Sequence, residues 1–94
     1  MTVALMWEAR AAAGRGAELL AWVRAQPLAG DGGRGRAPLR REHFTAPQDR
    51  VLVITWWDAD FDAGLPELPD PDPGLTHRPV HRWRFQAVDC PGPA

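Results

Sequence analysis

The stretch RVLVITWWD, residues 50–58, decides how this chain is to be read. It is rich in β-branched and aromatic residues, the composition of a pleated strand. Side chains alternate along a strand, so Val51, Val53, Thr55 and Trp57 face one way and Leu52, Ile54 and Trp56 the other. Both faces are apolar. A strand that spends polar residues on neither side is covered on both, by helix on one face and by something else on the other.

The flanking sequence supplies the other elements. Residues 39–45 alternate again, and the link Ala46-Pro47-Gln48-Asp49 is short enough to join the two strands as a hairpin. Residues 2–10 form a first strand, with Val3, Leu5 and Trp7 opposite Ala4, Met6 and Glu8. The period changes over residues 14–25, where Leu19, Leu20, Trp22 and Val23 make one helical stripe and Pro27 marks the end. Residues 79–88 give the last strand, with His81, Trp83, Phe85 and Ala87 opposite Val80, Arg82, Arg84 and Gln86.

Between these elements lie a Gly/Arg loop at 29–38, a Pro-rich linker at 65–79 and a tail at 89–94. The segment DADFDAGL after Asp58 begins like a short helix, but Pro66, Pro69, Pro71 and Pro73 forbid a long one. The order is β, α, β, β, short or irregular α, β. That sequence of elements is the ferredoxin-like split βαβ arrangement, an α+β fold with a four-stranded antiparallel sheet, one main helix and a short or degraded second helix.

Composition narrows the chemistry. The 94 residues make a single domain, with 45% hydrophobic and 24% charged side chains in ordinary globular proportion. A net charge of −1 gives no electrostatic basis for nucleic-acid binding. No apolar run reaches the roughly 20 residues of a membrane helix, and no signal peptide stands at the start, so a cytoplasmic location is the default expectation. The chain has no Ser, Asn, Lys or Tyr, which removes a Ser nucleophile, a Lys Schiff base and a Tyr acid. Its eleven basic residues are all Arg. Cys90 has no partner for a disulfide or a metal site.

Three histidines remain as candidates for proton transfer. An imidazole lining a pocket acts as a base towards a phenol or an acidic C–H, since its free pKa lies near neutrality. His77 and His81 have the spacing of helical zinc ligands, but Pro79 lies between them, and no metal is expected. Asp58, Asp60 and Asp62 open like a calcium loop, yet Ala63 stands where the Gly is required and Pro69 where the bidentate Glu is required. The Gly-rich loop follows a helix and precedes a strand, the reverse of a phosphate-binding loop. Arg82 and Arg84 share a strand face and have the fork geometry that binds carboxylate or phenolate.

The stretches VALMWEARAAAGRGAELLAWV, LRREHFTAPQDRVLVITWWD and THRPVHRWRF, together covering most of the chain, resemble the dimeric α+β barrel superfamily and within it the antibiotic-biosynthesis-monooxygenase-like domains. The resemblance implies a homodimer whose sheets pack face to face, which would cover the second apolar face of RVLVITWWD. It also implies a cofactor-independent monooxygenase acting on a hydrophobic aromatic small molecule, with no cofactor of its own. His77 or His43 would then accept the proton and Trp57 would join them as a catalytic residue. Trp7, Trp56, Trp83 and Phe85 would wall the substrate and Arg82 would hold an anionic oxygen. The family's catalytic sets include an Asn, and this chain has none. The alternatives are a non-catalytic small-molecule-binding or structural homodimer, and a His-based cyclase or isomerase.

Overall fold

The computed structural model describes residues 1–28 and 37–88. Most of the Gly/Arg loop, and the tail with Cys90, lie outside the described residues. The elements are β1 (Thr2–Arg10), α1 (Gly16–Arg24), β2 (Arg40–Ala46), β3 (Arg50–Asp58) and β4 (His81–Gln86). The four strands form one antiparallel sheet in the order β2-β3-β1-β4, the ferredoxin-like order. RVLVITWWD is β3, an interior strand between β2 and β1.

Register fixes which residues share a face. On one side Trp7 lies opposite Val53 and Arg82, Leu5 opposite Thr55 and Arg84, and Val3 opposite Trp57 and Gln86. This side is covered. Helix α1 packs Leu19 and Val23 onto it, and Trp22 stacks on Trp7 with ring centroids 6.4 Å apart. Val3, Val51, Val53, Trp57, Leu19 and Val23 are sealed from solvent, and each such side chain contributes roughly 1.5–3 kcal/mol relative to staying exposed.

The rest of the cover differs from the expectation. Among the described residues α1 is the one helix, and the DADFDAGL segment makes a turn, closed by Ala63 N–H on the Asp60 carbonyl. Residues 59–80 form an irregular strap that takes the place of a second helix. It carries Leu65, Pro66, Leu68 and Leu75 into the core. Prolines forbid the helix but not the burial.

A strap without regular structure must still satisfy its carbonyls. Prolines accept hydrogen bonds and cannot donate them, whereas a guanidinium has five donors and no acceptor, so the two are complementary. Arg82 donates to the Leu68 carbonyl at 2.8 Å, Arg84 to those of Phe61 and Ala63 at 2.6 and 2.8 Å, and Arg15 to that of Gly74 at 2.8 Å. The strap is then stitched to the sheet end by His77 N–H on the Arg10 carbonyl and Ala12 N–H on that of Leu75.

The hairpin and the helix are coupled at the other end. Gln48 and Asp49 take φ of 69° and 59° in the β2–β3 turn. The Asp49 carboxylate then accepts from the backbone N–H groups of Gly14 (3.0 Å) and Gly16 (3.3 Å), capping α1, whose own N-cap residue Arg15 makes no such bond. A Cβ at Gly16 would come within 2.8 Å of that carboxylate, so the close approach requires glycine there.

Candidate functional site

The candidate residues divide between the two faces of the sheet. Trp57 and Trp7 are on the covered side, 2% and 4% exposed. The Trp57 indole donates to the Thr55 hydroxyl at 2.9 Å. The Trp7 indole N–H is buried and has no hydrogen-bond partner. Beside Trp7, between the sheet and the strap, lies a void of only about 20 Å³, bordered by Leu5, Val53, Thr55 and Leu68. This is space for one water molecule and not for an aromatic substrate.

Trp56, Trp83 and Phe85 stand on the opposite side, which no element among the described residues packs against. Phe85 is 52% exposed, Trp83 44% and Phe44 42%. The wall expected from Trp7, Trp56 or Trp57, Trp83 and Phe85 is therefore not one wall but two, separated by the sheet itself. The open side reads in rows across the strands. Arg40, Trp56, Ala4 and Phe85 make the first, Glu42, Ile54, Met6 and Trp83 the second, and Phe44, Leu52, Glu8 and His81 the third.

The charges in these rows are already engaged. Glu42 accepts from the Trp56 indole at 2.7 Å and from Arg40 Nε at 3.2 Å, while the Arg40 guanidinium lies 4.7 Å over the Trp56 ring. Glu8, the lone carboxylate on the open side of β1, holds Arg78 through both its oxygens at 2.7 and 2.9 Å. His81 Nδ1 is 3.7 Å from the same carboxylate, and its ring meets Trp83 edge-on. This cluster was not anticipated from the sequence. Its signal was there, since Glu8 interrupts an otherwise apolar alternation.

The two candidate bases are far apart in character. His43 sits on the covered side at the β2 edge, where its Nε2 accepts from Arg41 Nε at 3.1 Å, so the neutral ring carries its proton on Nδ1. Partial burial lowers its pKa below the ordinary imidazole value, and the nearby cations of Arg41 and Arg24 lower it further. Arg41 spends its remaining donors on the Val23 and Gln26 carbonyls at the end of α1. That grouping fastens β2 to the helix.

His77 is placed differently. Together with Thr76, Arg78, Asp70 and Arg82 it lines an open groove of about 520 Å³ between the strap and β4. The geometry thus brings together two expected partners, His77 and Arg82. The Arg82 guanidinium is already committed to Asp70 at 2.7 Å and to the Leu68 carbonyl. Among the described residues no three His, Cys, Asp or Glu side chains cluster closely enough to hold a metal ion. Among the same residues no helix is long and apolar enough to cross a membrane.

No family model, curated protein or solved structure matches this chain. Its function has to be argued from the arrangement of its own residues.

Proposed function

We propose that this chain is a non-catalytic, small-molecule-binding or structural homodimer of the dimeric α+β barrel kind, joined through the open side of its sheet. One observation carries the proposal. Trp83, Phe85 and Phe44 stand between two-fifths and just over half exposed on a face whose other residues include Leu52, Ile54 and Met6. Contiguous exposed apolar surface of this kind marks a protein contact. A domain of this size buries only about two-thirds of its unfolded surface, and a second copy adds the burial that the fold alone does not provide. The void beside Trp7, about 20 Å³, has no room for an aromatic ring, which favours the non-catalytic reading.

Sedimentation at tens of micromolar tests it, with the mass of two chains expected. The mass of one chain defeats it. Phe85→Asp places a charge in the contact and is expected to shift the protein to monomer with its fold intact by circular dichroism.

A second reading, a cofactor-independent monooxygenase acting on an aromatic substrate, is supported by His77 and Arg82 lining one groove. In it His77 takes the proton of a phenol or acidic C–H and Arg82 faces the resulting oxyanion. Oxygen uptake with an anthrone-type compound, abolished by His77→Ala, is the result this reading expects. Uptake no greater than in buffer ends it.

A further inference from the structure

At the hairpin end of the open side, one row beyond Glu8 and Leu52, two arginines face each other. Arg10 on β1 and Arg50 on β3 are directly opposed in the register. Side chains so placed have Cβ atoms about 5 Å apart, and like charges there are destabilising. Among the described residues no carboxylate forms an ion pair with either guanidinium. Arg50 Nε donates to the Pro47 carbonyl at 3.2 Å, which leaves its terminal N–H groups to be used elsewhere.

The carboxylates nearest to them in sequence are spent on other partners. Glu8 gives both its oxygens to Arg78, at 2.7 and 2.9 Å, and has His81 Nδ1 at 3.7 Å. The Asp49 oxygens accept from the N–H groups of Gly14 and Gly16, on the side of α1. Glu8 and Arg78 cancel each other, so Arg10 and Arg50 hold two positive charges that the fold does not match. Their placement weakens the sheet and asks for an anion from outside it.

Beside the pair the face is hollowed, a depression of about 260 Å³ bordered by Arg50, Phe44, Leu52 and Glu8. Its volume lies just below the roughly 300–1,000 Å³ of sites for drug-sized ligands, and so suits a single ring. Arg50 belongs both to the charged pair and to the wall of the hollow. We propose that Arg10, Arg50 and this hollow bind a small phosphate monoester, its phosphate held between the two guanidinium groups and its apolar body lying on Phe44 and Leu52. A guanidinium matches phosphate oxygens with two parallel N–H groups. A phosphate monoester carries about −1.5 to −2 charges at pH 7, which balances both arginines, whereas a carboxylate would balance one. The inference rests on the small-molecule-binding form of the reading above and is independent of the homodimer.

The test is calorimetric titration of the full chain with phenyl phosphate, at an ionic strength held constant with NaCl because salt alone screens the repulsion between the arginines. Saturable binding at one site per chain is expected, weakened at least tenfold by Arg10→Gln and by Arg50→Gln. Inorganic phosphate is expected to bind at least tenfold more weakly than phenyl phosphate, and Phe44→Ala to remove most of that difference. Urea unfolding without ligand supplies a readout that a structural role would move the other way. Each arginine variant is expected to unfold at a higher urea midpoint than the natural chain, because the like-charge contact is gone. A lower midpoint in either variant makes the pair structural and overturns the site. So does phenyl phosphate binding that survives both substitutions. Inorganic phosphate binding as tightly as phenyl phosphate overturns the monoester. The neutral ring compound 1-naphthol separates this inference from the reading beneath it. If 1-naphthol binds and phenyl phosphate does not, the anion site is overturned and small-molecule binding stands. If neither binds, both fall.

Discussion

The two faces of the sheet are built from the same strands and solve opposite problems. On the covered face, Trp57, Val53 and Trp7 are sealed by α1 and by a strap that has no regular structure. On the open face, Trp56, Ile54 and Trp83 occupy the neighbouring positions with no helix or strap over them among the described residues. The difference teaches that apolarity alone does not say how a surface is used. Side chains of the same kind, one residue apart, serve folding on one side and remain available for association on the other.

The largest way to break this comparison is through the adjacent tryptophans. Trp57→Ala empties a sealed site and is expected to cost about 3–5 kcal/mol in urea unfolding, a large share of a small domain's stability. Trp56→Ala is expected to cost about 1 kcal/mol, mainly its hydrogen bond to Glu42. Equal losses would mean that the two faces are not distinct in kind.

A smaller effect concerns what holds the strap. Arg84 donates to two strap carbonyls, and Arg84→Met keeps much of the stem's packing while removing the donors. The expected loss is about 1–2 kcal/mol, read as a lower urea midpoint with unchanged slope. No loss would show that the Arg84 hydrogen bonds do not hold the strap. The strap would then be held by Leu65, Leu68 and Leu75 together with the hydrogen bonds of Arg82, Arg15 and the His77 and Ala12 backbone.

Much of this fold was legible because its signals are local. The alternation in residues 2–10, 50–58 and 79–88 specifies faces as well as strands, and the faces agree with the observed register. In sequence the strap has only the marks of a linker, because Pro66, Pro69, Pro71 and Pro73 report that helix is impossible and say nothing about burial. Its leucines are buried by tertiary contact, which no periodicity announces. The Asp49 cap is invisible for a related reason, since 33 residues separate the carboxylate from Gly16. In the candidate site the limit was different again. Alternation separates Trp56 from Trp57, but the lining expected of Trp7 together with Trp83 and Phe85 requires them on one side, and the β1–β4 register sets Arg82, not Trp83, beside Trp7.

The smallest expected effect tests the covered face at its margin, where β2 meets α1. The His43 pKa lies below the ordinary imidazole value of about 6.5, because burial and the cations of Arg41 and Arg24 disfavour its protonated form. The unfolded chain therefore takes up this proton at higher pH than the folded one does. By linkage, the stabilising contribution is fully present above about pH 6.5 and is lost as pH falls through the lower folded value. His43→Gln keeps an acceptor for Arg41 Nε and removes the titration. The urea midpoint of the natural chain is expected to fall between pH 7.5 and 5.5 by more than that of the variant, the difference isolating His43 from His77, His81 and the carboxylates. Parallel profiles would show that a proton at this edge costs nothing, and that the covered face ends before it reaches β2.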